Sequence, residues 1–331
     1  MATTTDTATD TDTLAEAVRA GDRRALARAI TLVESTRPAH RAQAADLLAI
    51  LLPAAGGAIR LGISGAPGVG KSTFIEVFGL FLIDRGRRVA VLAVDPSSKV
   101  SGGSILGDKT RMEDLARHRE AFIRPSPTAG TLGGVARRTR EAMLVCEAAG
   151  FDVVIVETVG VGQSETTVAD MVDMFLLMLL PGGGDDLQGI KKGIVEIADL
   201  LVVNKADDVM VKAAGRTVAD YQSALHLLRP ASSGWSPPVL ACSAREKSGI
   251  AAVWDAVGAY RAALGEDGLA ARRSDQAGAW MWSEISETLD AAFRDDPAVA
   301  ARIAACEEEV AAGRMTPGHA AKSLLARFLG R

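Results

Sequence analysis

The stretch that most constrains this chain is Gly65-Ala66-Pro67-Gly68-Val69-Gly70-Lys71-Ser72, a G-x-x-x-x-G-K-S pattern followed by Thr73. It comes after a short apolar run, residues 59–64. It precedes Phe74, Val77, Phe78, Phe81 and Leu82, which repeat at helical spacing. Strand, glycine-rich turn and helix together form the context in which this pattern cradles a phosphate. Gly65, Gly68 and Gly70 allow backbone N–H groups to turn inward around an anion. The start of the following helix adds partial positive charge. Lys71 is placed to reach the β- and γ-phosphates of a nucleotide, and Ser72 to ligate Mg²⁺.

Residues 58–268 alternate strand and helix patterns, which predicts an α/β domain with a mostly parallel sheet of about seven strands between helices. Strands are expected near 59–64, 88–94, 121–124, 152–157, 173–180, 199–203 and 238–242. The run at 174–180 is too short to span a bilayer and ends at Pro181 and glycines. Residues 1–12, rich in Thr, Asp and Ala, are expected to form a disordered tail. Residues 13–57 read as an N-terminal helical arm with two apolar sets: Leu14, Val18, Leu26, Ile30, Leu32 and Val33, then Leu47, Leu48, Leu51 and Leu52. Residues 269–331 read as a C-terminal helical arm. Trp282, Ile285, Leu289 and Phe293 form its first stripe, Asp296-Pro297 and Thr316-Pro317 start its later helices, and Gly313 ends one. Such stripes need a cover, either the preceding domain or, as the favoured reading, a second copy of the chain.

A net charge of −4 over 331 residues gives no broad basic surface for nucleic acid or membrane. Cys146, Cys242 and Cys306 lie far apart without C-x-x-C spacing, as expected for buried thiols of a cytoplasmic protein. The start shows no apolar core of a secretory signal.

The base is read further along. Val202-Val203-Asn204-Lys205-Ala206-Asp207 is an apolar strand end carrying N-K-x-D, which resembles the guanine-recognition motif of P-loop GTPases. A carboxylate only accepts hydrogen bonds, so Asp207 can take two from the N1–H and exocyclic amine of guanine. Adenine would leave it unpaired, a mismatch worth kilocalories in a site built on specific hydrogen bonds. Asn204 can bond the other edge of the base, and the Lys205 stem can lie along the ring. Cys242-Ser243-Ala244, after another apolar run, resembles the loop whose backbone meets guanine O6.

Further sensors of the phosphate are expected at strand ends. Glu157-Thr158-Val159-Gly160 follows a buried run and resembles the D-x-x-G motif of GTPases, which implies that Glu157 orients Mg²⁺ or its water and that the Gly160 amide faces the γ-phosphate. Asp95 and Asp108 lie in a polar stretch, residues 95–119, too long for a mere turn. They are candidates for Mg²⁺ water ligands or for positioning the attacking water. In that stretch Lys109 and Arg111 could neutralise γ-phosphate charge. The glycine-rich segment 181–193 carries Asp185, Gln188 and Lys191, of which Gln188 and Lys191 could reach a nucleotide or a partner, and it reads as a further switch segment or as a flexible loop of no consequence.

With these motifs in hand, the chain resembles the MeaB/ArgK family of GTPases over residues 25–330. The resemblance rests on the 95–98 and 101–112 segments, on residues 157–165 through Glu165, and on the loop with Gln188, Ile190 and Lys191. It implies a P-loop NTPase fold with helical extensions, Mg²⁺-dependent GTP hydrolysis to GDP and phosphate, and homodimers formed through the C-terminal helices. It also implies a chaperone role toward adenosylcobalamin-dependent methylmalonyl-CoA mutase, gating cofactor loading and protecting or reactivating the mutase. In that family Lys71, Ser72, Asp95, Asp108 and Glu157 correspond to the phosphate and magnesium site, and Asn204, Lys205 and Asp207 to the base site. No D-x-H-x-x-G motif occurs here, so adenosylcobalamin is expected on the partner. The alternatives are a nickel-type metallochaperone GTPase, which would need Cys/His clusters, a small-molecule kinase on the same phosphate loop, and a non-catalytic scaffold that only binds GTP.

Overall fold

The computed structural model describes residues 4–94, 112–125, 132–158, 164–182, 192–226 and 234–330. It separates into two compact units, Met1–Ser274 and Asp275–Arg331.

The first unit opens with helices α1 (Thr4–Arg19), α2 (Arg23–Val33) and α3 (Pro38–Leu51). The expected tail over residues 1–12 is therefore helical from Thr4. Thr11, Leu14, Ala15 and Val18 are buried. A helix anchored by tertiary packing extends at little further cost into residues of poor intrinsic propensity. Gly21, at φ +78°, ends α1, and the Asp22 carboxylate accepts from the N–H of Arg24 (2.8 Å) and Ala25 (2.7 Å) to cap α2. Of the two predicted apolar sets, Leu26, Ile30, Val33, Leu47 and Leu51 are buried, while Leu52 is exposed.

A seven-stranded sheet follows, with strands β1 (Ile59–Gly65), β2 (Val89–Val94), β3 (Ala121–Arg124), β4 (Val153–Thr158), β5 (Met174–Leu179), β6 (Leu200–Val203) and β7 (Val239–Ala241). Their order is β3-β2-β4-β1-β5-β6-β7, and every ladder is parallel. The α/β reading and all seven expected strands hold to within a residue or so at each end. Parallel strands buried on both faces show as continuous apolar runs, which is why they were legible.

The crossing helices are α4 (Lys71–Ile83), α5 (Glu113–Arg117), α6 (Leu132–Ala148), α7 (Ser164–Ala169), α8 (Lys192–Glu196) and α9 (Val211–Leu225). The next helix, α10 (Ile250–Asp295), is broken at Gly265, where φ is 67° and ψ 178°. One core joins Leu61 and Ile63 of β1, Phe74, Ile75 and Phe78 of α4, Ile155, Leu176 and Val202 of the neighbouring strands, and Val253 and Tyr260 of α10. Burying each such side chain is worth about 1.5–3 kcal/mol.

Beneath the sheet, at the start of the strands, lies a charged network absent from the sequence reading. Arg60 of β1 pairs with buried Glu147 at 2.7 Å, and its N–H donates to Asp173 at 2.9 Å. Arg273 donates through Nε to Asp173 at 2.7 Å. It also donates to the carbonyls of Gly56 and Ala58. Two acids buried beneath an apolar sheet are tolerated because arginine and backbone donors satisfy them.

The second unit contains the end of α10 together with α11 (Pro297–Ala311) and α12 (Pro317–Phe328). Asp296 caps α11 by accepting from Ala298 and Val299, and Thr316 caps α12 by accepting from His319. Gly313, at φ +69°, follows the end of α11. Phe293 and Phe328 meet edge to face with ring centroids 5.5 Å apart. Met281, Trp282, Ile285 and Leu289 are exposed, Trp282 by 64%. Among the described residues no helix is long and apolar enough to cross a membrane.

Candidate nucleotide site

The order of the strands puts β1 between β4 and β5. At its carboxyl end Ile63 lies beside Glu157 of β4, and Gly65 beside Met178 of β5. Loops at the carboxyl ends of such a sheet form its ligand crevice. Here those loops carry the 65–72, 157–158, 204–208 and 242–246 segments.

The phosphate loop leaves β1 through backbone that only glycine adopts with ease. Gly65 has φ +153°, and a Cβ there would stand 2.5 Å from the Met178 carbonyl oxygen. Gly70, at φ +91° and ψ +32°, is the residue before α4. A Cβ on Gly70 would come within 2.8 Å of Asn204 Nδ2. Within the loop Val69 is buried, whereas Pro67, Gly68 and Thr73 are exposed and Ala66 and Ser72 half-buried.

Lys71 begins α4 and is 8% exposed. Its Nζ donates to the carbonyls of Gly65 (2.7 Å) and Ala66 (3.4 Å). Burial lowers the pKa of the ammonium, and the charges of Glu157 and Glu165 oppose that shift. Next to it, Ser72 Oγ donates to Glu157 Oε1 at 3.2 Å. Glu157 is 4% exposed. A hydroxyl and a buried carboxylate at this separation are hard oxygen donors of the kind that suit Mg²⁺. Thr158 Oγ1 donates to Ser64 Oγ at 2.8 Å, closing the space between β4 and β1.

The residues expected on the base side converge on the same loop. Asn204 is 2% exposed. Its Nδ2 donates to Val69 O at 2.9 Å, and its Oδ1 accepts from Ala244 N–H at 3.1 Å. Cys242 Sγ lies 3.5 Å from the same Oδ1. Asn204 thus braces the phosphate loop and the 242–244 loop at once, and the second hydrogen on its Nδ2 remains to serve a base edge. Lys205, at φ +60°, sends Nζ to Gly68 O at 2.7 Å, laying its stem across the mouth of the loop.

The Ser243 hydroxyl donates to Asp207 Oδ2. This fixes one carboxylate oxygen, while Glu246 N–H donates to the same hydroxyl at 3.1 Å. Ser243 and Ser248 exchange backbone bonds at 3.0 and 3.1 Å. Gly249, at φ +74°, permits that tight return, since a Cβ there would stand 2.5 Å from Ala241 O.

Of the residues singled out from sequence, Lys71, Ser72, Glu157, Asn204, Lys205, Asp207, Cys242, Ser243 and Ala244 lie around one crevice. Asp95, Asp108, Gly160, Asp185, Gln188 and Lys191 lie outside the described residues. The sequence reading assigned Ser243 to its backbone and did not foresee the hydroxyl as the partner of Asp207. No local signal could have shown it, since 36 positions separate the two. The buried ion pair of Arg60 with Glu147 did have a signal, an arginine inside an apolar strand.

The chain is similar to known proteins over most of its length. A family model described as methylmalonyl Co-A mutase-associated GTPase MeaB matches residues 26–298. A putative GTPase of Caulobacter vibrioides is 58% identical over 322 residues, covering 97% of this chain and 98% of the relative. The mouse protein named methylmalonic aciduria type A homolog, mitochondrial, is 50% identical and covers 94% of this chain and 78% of its own length. The crystal structure of a protein titled LAO/AO transport system kinase superposes with a TM-score of 0.77 at 40% identity, covering 97% of this chain and 98% of that one. The matching family model, the GTPase relatives and the shared fold make this a P-loop GTPase, and the chain belongs to the MeaB family.

Proposed function

We propose that this GTPase acts as a chaperone of methylmalonyl-CoA mutase, hydrolysing GTP to gate adenosylcobalamin loading and to protect or reactivate that enzyme. The observation that carries the reading is the match to the mutase-associated family over residues 26–298, which takes in the phosphate loop and the base loop alike. The cofactor would be held by the mutase.

In this reading the amides of the 65–72 loop and Lys71 bind the nucleotide phosphates, and Asp207, oriented by Ser243, selects guanine. Ser72 and Glu157 would hold Mg²⁺, with Asp95 and Asp108 completing the set. The ion would supply positive charge to the β- and γ-phosphate oxygens. The chain's own part is positioning: water is aligned with the γ-phosphate while donors neutralise the charge that spreads over its oxygens. Gly160 and the segment with Asp185, Gln188 and Lys191 would report the γ-phosphate to the mutase, as an order–disorder switch. The exposed stripe Met281, Trp282, Ile285 and Leu289 would pack on a second copy of the chain to form a homodimer. A cytoplasmic setting fits the buried free thiols Cys146, Cys242 and Cys306.

The test is GTP turnover by the purified protein with and without methylmalonyl-CoA mutase, together with release of labelled phosphate to water or to an added acceptor. The reading expects turnover to rise with the mutase and free phosphate to be the only labelled product. Unchanged turnover and no co-elution with the mutase would remove the chaperone role and leave the GTPase.

A further inference from the structure

Where β1 and β4 lie side by side, Leu61, Ile63 and residues 153–156 are buried and apolar. Two hydroxyls break that pattern at the end nearest the phosphate loop. Thr158 Oγ1 donates to Ser64 Oγ at 2.8 Å, and both residues are 0% exposed. The last register pair of the two strands is Ile63 with Glu157. The hydroxyl bond thus carries their contact one position further, to where β1 enters the loop at Gly65 and β4 ends at Thr158.

Successive side chains of a strand point to opposite faces. Glu157 meets Ser72 at the head of α4 at 3.2 Å, and Ile63 beside it joins the core that holds Phe74 and Phe78 of α4. Ser64 and Thr158 belong to the other face together with Gly62, where a Cβ would stand 2.9 Å from Val168 Cγ1 of α7. The bond therefore fastens the two strands from the face opposite the residues expected at phosphate and metal. Stability alone does not call for it. A buried hydrogen bond contributes about 1 kcal/mol net, and replacing both partners by apolar groups of similar shape can be nearly neutral. What an apolar pair does not do is fix a separation and a direction, as a hydrogen bond does.

We propose that Ser64 and Thr158 form a positioning pair for GTP hydrolysis that acts through Glu157, holding its carboxylate at the place beside the phosphate loop where, with the Ser72 hydroxyl, it takes Mg²⁺. Thr158 follows Glu157 directly, so the bond that pins Thr158 to β1 also fixes the backbone from which Glu157 projects. Ser64 directly precedes Gly65, whose carbonyl accepts from Lys71 Nζ at 2.7 Å. One bond thus sets the metal acid and the phosphate loop against each other.

The inference rests on Glu157 serving the ion, and the experiment tells failure of that premise from failure of the pair. Calorimetric titration of the full-length protein with a non-hydrolysable GTP analogue, in Mg²⁺ and in EDTA, gives Kd for the wild type, Thr158→Val, Thr158→Ser, the Ser64→Ala/Thr158→Val double variant and Glu157→Gln. GTP turnover gives kcat and KM for each. Thr158→Val is expected to bind the analogue in EDTA as the wild type does and to lose most of the affinity that Mg²⁺ adds. Its kcat should fall roughly tenfold with KM little changed, since a misplacement of about 1 Å costs up to about 100-fold. Thr158→Ser keeps the hydroxyl and should keep the Mg²⁺ response and kcat. The double variant leaves neither hydroxyl without its partner, so its Tm should lie close to the wild type while its Mg²⁺ response and kcat fall as in Thr158→Val.

An unchanged Mg²⁺ response and kcat in Thr158→Val, with both lost in Glu157→Gln, overturn the pair and leave the premise standing. A full Mg²⁺ response in Glu157→Gln removes the premise and the proposal with it. Equal weakening of Thr158→Val in EDTA and in Mg²⁺ would mean a distorted phosphate loop. A normal Mg²⁺ response and kcat in the double variant would mean that Thr158→Val fails only by stranding a buried hydroxyl. Either of these results overturns the proposal. Should Thr158→Val not fold, the double variant carries the same expectations.

Discussion

Replacing Asn204 tests whether the base loop and the phosphate loop are one mechanical unit before any ligand arrives. The side chain is 2% exposed and makes two hydrogen bonds, Nδ2 to Val69 O at 2.9 Å and Oδ1 from Ala244 N–H at 3.1 Å. Asn204→Ala removes both and leaves a carbonyl and an amide of two buried residues without these partners. A net hydrogen bond contributes about 1 kcal/mol, and an unsatisfied buried group costs about 1–3 kcal/mol. Water entering the space of the lost amide would recover part of this, so the expected loss is about 2–4 kcal/mol. For a unit of this size that lowers Tm by roughly 5–10 °C. Asn204→Asp is expected to be at least as damaging, because it keeps the acceptor for Ala244 but sets a carboxylate against the Val69 carbonyl. The assay is urea and thermal unfolding without nucleotide, followed by circular dichroism. If both variants unfold like the wild type without nucleotide and differ only when GDP is added, Asn204 is purely a base ligand and the bracing argument is wrong.

Three further outcomes are expected. Asp207→Asn exchanges an acceptor for a donor on the guanine side, so preference should move from GTP toward xanthosine triphosphate; competition binding reads it, and an unchanged order of ligands would remove the base assignment. Gly62→Ala places a methyl within 3.0 Å of Val168, Phe175 and Val172, so the overpacking should cost about 1–3 kcal/mol and loosen α7; hydrogen exchange across residues 164–169 reads the loosening. Burial pushes the Cys242 thiol from 9.0 up to about 12 and raises Cys146 as well. The unfolded chain therefore loses these protons first: stability is intact below about pH 9 and falls as pH rises toward 12, by up to about 1.4 kcal/mol per pH unit for each thiol. In urea unfolding Cys242→Ala should show a shallower fall over that window than the wild type.

The phosphate loop was legible because its demands are local. Gly65 and Gly70 occupy backbone that a side chain opposes, Lys71 and Ser72 must follow at once, and a strand and a helix must flank them. Asn204-Lys205-Ala206-Asp207 stood out as the expected base site because hydrogen-bonding chemistry dictates residue type, and its residues do gather beside the phosphate loop. The strands were legible because burial on both faces turns them into unbroken apolar runs, as in 153–156 and 174–179. The start of α1 was misread because composition at Thr4–Thr9 speaks for the free chain, whereas the helix is held by Leu14 and Val18 against the arm.

The sequence by itself therefore determined the nucleotide chemistry and the family of fold. Tertiary structure alone decided which distant groups meet. Asn204 reaches Val69 across 135 positions, Ser243 reaches Asp207 across 36, and Arg273 reaches Asp173 across 100. The physical reason is that strand order, not chain order, sets those distances. A parallel sheet gathers the carboxyl ends of strands far apart in sequence, and the charges and hydrogen bonds that tune the site form only when those ends are brought together.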